Sequence, residues 1–305
     1  MSKKPLLICV VGATAIGKTT LSIALAKALD TEIISADSRQ FYSSMNIGTA
    51  VPSTQELAAA PHHFIQHKSI FDTYSVGDFE REALLKLDTL FSEKSTAILV
   101  GGSGLYVDAV VNGLDHFPDI DKQIRETLNT QLDNNGLQLL QQELMRVDPL
   151  YFKTMDTENP RRVIRALEIY RATGKPYSSF LNVKAANRNF KTLYIGLTAE
   201  RPIVYERINK RVDIMLENGL LEEVKKLYPH RDLNALQTVA YRELFQYFDG
   251  TLSLEKAVEE IKKNTRRFAK RQGTWFRKNQ HIHWFDYTTN SEAIIEFIKE
   301  KNAQN

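Results

Sequence analysis

The run Gly12-Ala13-Thr14-Ala15-Ile16-Gly17-Lys18-Thr19 has the spacing G-x-x-x-x-G-K-[ST]. It follows the apolar stretch Leu6-Leu7-Ile8-Cys9-Val10-Val11 directly and precedes a helical pattern that opens at Leu21. Glycines let the backbone turn so that N–H groups approach phosphate oxygens, the helix amino end adds partial positive charge, and Lys18 adds a full one. Thr19 carries a hydroxyl where a Mg²⁺ ligand is expected. These residues predict a polyphosphate site without saying which compound fills it, and an ordinary βα turn is the competing reading.

Two further groups aim at the same place. Glu32-Ile33-Ile34-Ser35-Ala36 reads as a strand, and its carboxyl end delivers Asp37-Ser38-Arg39-Gln40. In an open parallel sheet ligands bind at that edge, which also carries the glycine loop, so Asp37 is a site candidate. A carboxylate that caps the next turn is its alternative. Ala97-Ile98-Leu99-Val100 reads as a buried strand that ends in Gly101-Gly102-Ser103-Gly104, where glycine again permits close backbone approach. A nucleotide-hydrolysing P-loop protein usually places a Mg²⁺-associated Asp after such a strand, and its replacement by glycine and serine argues against one.

Positive charge gathers late in the chain. Residues 262–278 contain Lys262, Lys263, Arg266, Arg267, Lys270, Arg271, Arg277 and Lys278 and no acid. On a helix the first six fall within one half of the circumference, while Ile261, Phe268, Ala269, Trp275 and Phe276 fall on the other. The pattern predicts a helix that packs by its aromatic side and offers a cationic wall to a nucleic-acid backbone. His62, His63 and His67 lack the cysteine partners or H-E-x-x-H helix of common metal sites and read as structural or surface groups.

The elements that must position these groups follow from periodicity. Leu21, Ala24, Leu25, Ala28 and Leu29 mark a helix ended by Asp30-Thr31; Phe79, Ala83, Leu84, Leu87 and Leu90 mark another, and the intervening residues 43–78 read as loop. From Asp115 the composition turns rich in Gln, Asn, Glu and Arg, with helical patches at 121–132, 136–146 and 160–173. Residues 117–187 are therefore expected to form a helical insertion in a core of 1–116 and 188–305. Within it, Arg161 and Arg165 stand one turn apart with Arg162 beside them, fit equally for a solvated face or a phosphate contact. After a strand over 190–197, Thr198 is placed to cap a helix in which Val204, Ile208, Val212 and Met215 share a face and Arg207 and Arg211 a neighbouring one; Gly219 closes it. Residues 281–285 read as a last strand and 291–300 as a closing helix. The expected class is α/β: a P-loop-containing parallel sheet flanked by helices, with a smaller all-helical insertion domain.

A chain of 305 residues with 43% hydrophobic content can bury one large core or two modest ones. The formal charge of +3 is slight, so a nucleic-acid reading rests on where cations lie and not on their total. The one cysteine, Cys9, sits in the first apolar run, which excludes a disulfide framework. No apolar run approaches the ~18 residues of a membrane span, and Met1-Ser2-Lys3-Lys4-Pro5 has no signal-peptide design, so a cytoplasmic enzyme is expected.

Taken together, these segments resemble the tRNA dimethylallyltransferase (IPP transferase) family. The resemblance is carried by the glycine loop, by Ser35-Ala36-Asp37-Ser38-Arg39-Gln40-Phe41-Tyr42, Asn46-Ile47-Gly48-Thr49-Ala50 and Gly101-Gly102-Ser103-Gly104-Leu105-Tyr106. It continues in Arg162-Val163-Ile164-Arg165-Ala166-Leu167-Glu168, Gly219-Leu220-Leu221-Glu222-Glu223-Val224, Gln237-Thr238-Val239-Ala240-Tyr241-Arg242-Glu243 and Arg267-Phe268-Ala269-Lys270-Arg271-Gln272. It implies transfer of a dimethylallyl group from dimethylallyl diphosphate to N6 of the adenosine at position 37, beside the anticodon. It also implies Asp37 as general base, Lys18, Arg211 and Mg²⁺ at Thr19 on the diphosphate, and Ser103 and Arg125 as helpers of the transition state. The tRNA anticodon stem-loop would be held by Asp37, Ser38, Arg39 and Gln40, by Arg161, Arg162, Val163, Ile164 and Arg165, and by Gln237, Thr238, Val239, Ala240, Tyr241 and Arg242. Arg266, Arg267, Lys270 and Arg271 complete that set, and a monomer is expected. Ala240 stands where the family often has glycine, Arg161 where glutamine is common and Val51 where a lysine is frequent. An adenylate isopentenyltransferase, a P-loop nucleotide kinase and a non-catalytic RNA-binding nucleotide switch remain as alternatives.

Overall fold

The computed structural model describes residues 4–181 and 187–303; Met1-Ser2-Lys3 and residues 182–186 of the expected insertion lie outside the described residues. The strands are β1 (Leu6–Gly12), β2 (Ile33–Ser35), β3 (His62–His63), β4 (Thr96–Gly101), β5 (Lys191–Thr198) and β6 (Ile282–Asp286). They form one sheet in the order β3-β2-β4-β1-β5-β6, every pair parallel. The chain first builds outward on the β4 side of β1 and then on the β5 side, so the order reverses about β1, at whose carboxyl end the glycine loop stands.

A strand in the middle of a parallel sheet is covered on both faces, which is why β1 is apolar without alternation. Leu6, Ile8 and Val10 join Ile16, Leu21, Leu25, Ile195 and Ile208 in one core cluster; Leu7, Cys9 and Val11 join Phe79, Leu87, Leu99 and Val107 in the other. The flanking helices of this part are α1 (Lys18–Ala28), α2 (Thr54–Ala59), α3 (Val76–Glu93) and α4 (Gly104–Asn112).

The chain divides into two compact units, Met1–Asn112 with Arg188–Asn305, and Gly113–Asn187. The second is helical: α5 (Lys122–Asn135), α6 (Leu137–Val147), α7 (Pro149–Thr154) and α8 (Pro160–Thr173) enclose Leu128, Leu140, Leu144, Val163, Ile164, Ala166 and Leu167. Its first helix has a single buried residue, Leu128, which is the polar texture seen in the sequence. The first unit resumes with α9 (Arg201–Glu217), α10 (Leu220–Leu227), α11 (Tyr241–Phe248), α12 (Leu254–Phe276) and α13 (Ser291–Ala303). A third cluster, with Met45, Leu220, Val224, Tyr241, Leu244 and Ile261, unites α10, α11 and the first half of α12.

Three local expectations change. Residues 43–78 are not all loop: a capping box of Ser53 and Glu56 starts α2, and His62 and His63 pair with Ile33 and Ile34 as a two-residue edge strand, too short to leave a periodic signal. Thr198 does not cap α9, because it ends β5 opposite Asp286; Glu200 precedes the helix and Pro202 lies in its first turn. Trp275, expected on the packed side of α12, is 40% exposed, and its indole N–H donates to Asp108 at 2.8 Å.

Candidate active site

The carboxyl ends of β1, β2 and β4, with α9, wall a cavity of about 1030 Å³ in the first unit. Thr14, Ala15, Ile16, Gly17, Lys18, Thr19, Asp37, Gln40 and Arg211 all line it, so the loop, the carboxylate and one predicted arginine share a single space. The loop turns through positive φ at Ala15 (63°) and Gly17 (111°), and α1 begins at Lys18 with Gly17 at its N-cap and no side chain bonded to its first N–H groups. An uncapped helix amino end on a cavity wall offers its free N–H groups to an anion. Gly12 stays glycine because a Cβ there would stand 2.6 Å from the Leu197 carbonyl oxygen.

Lys18 folds over the loop, its Nζ donating to the carbonyls of Gly12 (3.0 Å) and Ala13 (2.8 Å). Burial lowers its pKa to about 8; the Asp37 charge opposes the shift and Arg211 adds to it. The two arginines that spacing could not separate take different tasks. Arg207 donates through Nε to the Ala15 carbonyl at 2.7 Å and holds the loop. Arg211 lines the cavity and makes no hydrogen bond or ion pair among the described residues; burial, then the Arg207 charge, lowers its pKa.

Asp37 lines the cavity and also caps the next turn. Its Oδ1 accepts from the backbone N–H of Arg39 at 3.2 Å, an Asx turn, while Oδ2 accepts nothing among the described residues. Ser103 accepts from the N–H of Ser38 at 3.3 Å and pairs with its hydroxyl at 3.1 Å, tying the β4 turn to the residue beside Asp37. Gln40 reaches inward, donating to the carbonyls of Thr49 (3.3 Å) and Ala50 (2.9 Å). The Thr19 hydroxyl also lines the cavity and has no partner among the described residues. A hard oxygen without a protein partner beside an anion-binding loop suits a divalent cation that takes few protein ligands and completes its shell with phosphate oxygens and water.

Two residues that periodicity did not single out assemble this wall. Glu223 accepts the backbone N–H groups of Asn46 (3.0 Å), Ile47 (2.7 Å) and Gly48 (3.0 Å) and the Tyr241 hydroxyl (2.7 Å). Gln272, 5% exposed on α12, accepts from the Thr14 N–H at 2.8 Å and donates to the Gly102 carbonyl at 3.0 Å. The only signal for either was membership of a segment that carries the family resemblance, Gly219 to Val224 or Arg267 to Gln272.

The predicted RNA contacts divide by exposure. Val239, Ala240 and Tyr241 are buried in the third cluster and Val163 and Ile164 in the second unit's core, so their side chains brace neighbours and do not face RNA. Thr238 is half-buried, and Gln237 donates to the Arg231 carbonyl at 2.6 Å. Arg242 is exposed, while Arg39 lies 3.9 Å over the Phe268 ring. On α12 Arg266 is spent on Asn209 at 2.7 Å, while Arg267, Lys270 and Arg271 are exposed. In the second unit Arg161 and Arg162 are exposed; Arg165 pairs with Glu168 at 2.8 Å and Arg125, half exposed, stands 3.8 Å from the same carboxylate. Arg125 and residues 161–165 therefore belong to a different unit from Asp37.

A family model described as IPP transferase matches residues 40–279. This chain belongs to that family. A tRNA dimethylallyltransferase of Christiangramia forsetii is 59% identical over 295 residues, covering 97% of this chain and 98% of the relative. The crystal structure of a full-length tRNA isopentenylpyrophosphate transferase from Bacillus halodurans is 39% identical with a TM-score of 0.74, covering 99% of this chain and 98% of that one. A eukaryotic dimethylallyltransferase acting on tRNA, 28% identical, superposes with a TM-score of 0.81 over 98% of this chain and 80% of its own. The chain is accordingly a transferase of the family, whose enzymes use a divalent metal with a diphosphate substrate.

Proposed function

We propose that this enzyme transfers the dimethylallyl group of dimethylallyl diphosphate to N6 of adenosine 37 in tRNA and releases diphosphate. The observation that carries the reading is the shared cavity: the glycine loop, Lys18 and Arg211 border the same space as the unengaged oxygen of Asp37. Breaking the C1–O bond of an allylic diphosphate sends the electron pair to the bridging oxygen, and negative charge grows on the leaving group. The amide N–H groups of the loop, the Lys18 ammonium and the Arg211 guanidinium are arranged to stabilise that charge. Mg²⁺ held by Thr19 would neutralise further phosphate charge when bound. The adenine amine is a weak nucleophile because its lone pair is delocalised into the ring. As N6 bonds to C1 it loses a proton, and Oδ2 of Asp37 is free to take it, a role worth ~10²–10⁴ in rate.

A proton acceptor set in a cavity at the sheet edge requires the target base to leave its stack to reach it. The exposed cations Arg267, Lys270 and Arg271 on α12 are suited to the RNA backbone of the anticodon stem-loop, as are Arg161 and Arg162 of the second unit. No helix among the described residues is long and apolar enough to cross a membrane. We take the enzyme to work in the cytoplasm, where its tRNA substrate is, and to act as a monomer. Nucleoside analysis of unmodified tRNA after incubation with enzyme, Mg²⁺ and dimethylallyl diphosphate tests the reading; N6-(dimethylallyl)adenosine at position 37 is expected. Transfer to AMP with none to tRNA would overturn it.

A further inference from the structure

We propose that Gln272 is a positioning residue for the donor: it sets the relative placement of the two glycine turns that meet the diphosphate. The inference rests on the function proposed above. Its side chain is one of few buried polar groups, and both ends of its amide are used. Oε1 accepts the Thr14 N–H at 2.8 Å, in the first half of the glycine loop after β1; Nε2 donates to the Gly102 carbonyl at 3.0 Å, in the turn after β4. These strands lie side by side in the sheet, Val11 opposite Gly101, so one amide spans the two turns that leave their ends.

The packing leaves no slack for another arrangement. A Cβ on Gly102 would stand 2.1 Å from the Gln272 Nε2, and one on Gly104 2.2 Å from the Trp275 ring, so glycine in the β4 turn is the space into which α12 lowers its side chains. The same added Cβ on Gly102 would lie 3.7 Å from the Lys18 Nζ, which brings the bridge next to the ammonium assigned to the diphosphate. An amide suits this task because it donates and accepts at once from a side chain that is itself buried, whereas an ionised carboxylate only accepts and a hydrocarbon does neither. Gln272 touches no reacting atom. It acts through Thr14 and Gly102, whose backbone it holds in register.

Its neighbours on α12 face outward. Arg271 is exposed and Lys270 likewise, so removal of the Gln272 amide should leave RNA binding alone while it loosens the donor site. That separation is what a general weakening of the fold would not produce.

The test is steady-state kinetics and direct binding on the full-length enzyme. Gln272→Met, similar in shape but unable to make either bond, is expected to raise the KM for dimethylallyl diphosphate by about tenfold or more, with the KM for tRNA within about twofold, the scale of losing two ordinary hydrogen bonds. Gln272→Glu gives a signature of its own. Ionised, the new carboxylate can accept from Thr14 but only repels the Gly102 carbonyl; protonated, it regains both bonds. The donor KM of this variant should therefore fall toward the wild-type value as pH is lowered through the titration of the buried carboxyl, a dependence absent in wild type. If either variant is recovered unfolded, the other is decided by circular dichroism and the same two KM values. An unchanged donor KM in a folded Gln272→Met, or equal rises in both KM values, would overturn the proposal. A wild-type enzyme that fails to prenylate tRNA at all would instead overturn the proposed function.

Discussion

Two regions of this molecule are positively charged, and they are built in opposite ways. Around the glycine loop, Lys18 and Arg211 are half-buried at the cavity and Lys18 is tied to loop carbonyls at 2.8 to 3.0 Å, while Arg207, its side chain exposed, ties a third at 2.7 Å. Along the later turns of α12, Arg267, Lys270 and Arg271 are exposed to water, with no acidic partner among the described residues. Earlier on the same helix Lys262 pairs with Asp213 at 2.6 Å and Lys263 with Glu260 at 2.8 Å. A sheltered cation acts singly, feels its neighbours and is little screened by salt; exposed cations act together and are strongly screened. The first design fits a small, highly charged leaving group and the second a long polyanion.

The comparison breaks first at Asp37, the carboxylate set among the sheltered cations. Asp37→Ala is expected to lower transfer by about 10²–10⁴ while tRNA affinity stays within a few fold. Single-turnover assays with filter binding measure both, and retained activity would remove the general-base assignment.

Next comes the sheltered lysine. Lys18→Met should weaken donor binding by about 10- to 100-fold, the worth of a charge-assisted contact out of water. With a pKa near 8 in the free enzyme, Lys18 is charged below that pH, so donor affinity should be flat there. Above it a proton must be taken up on binding, and affinity should fall toward tenfold per pH unit. Isothermal titration with a non-reactive donor analogue across pH 7 to about 9.5 reads this directly; a profile flat through that range would contradict it.

The exposed set should answer to salt. Neutralising Arg267, Lys270 and Arg271 together is expected to flatten the dependence of log Kd on log salt by up to about three, while neutralising Lys262, Lys263 and Arg266 should leave it nearly unchanged. Equal effects from the two triplets would erase the distinction.

The smallest effect lies outside both regions. Ala240 is buried at φ 79°, ψ −47°, a conformation that strains a residue with a Cβ, and its N–H donates to Glu243 at 2.9 Å. Ala240→Gly should raise stability by about 1 kcal/mol, the relief of strain less the entropy glycine adds to the unfolded chain, as a higher midpoint in urea.

Much of this enzyme could be read from its residues. The sheet, the glycine loop after β1 and the placement of Asp37 at the same edge follow from local facts: strand periodicity, glycine spacing and the rule that parallel strands release their ligand-binding turns at one edge. The run of cations after residue 261 is likewise plain in the sequence. Which of them are free is not, because Asp213 and Asn209, which neutralise Lys262 and engage Arg266, sit on another helix some fifty residues away in the chain.

The sequence by itself determined the chemical inventory and the order in which strands present it. Only the tertiary structure decided how that inventory is held. Glu223 closes on the backbone of residues 46–48 across at least 175 positions, and Gln272 joins Thr14 to Gly102 across 258 and 170. Such bonds leave no periodic trace, since periodicity records only which face of an element is buried, whereas a buried hydrogen bond depends on which distant backbone group that face meets.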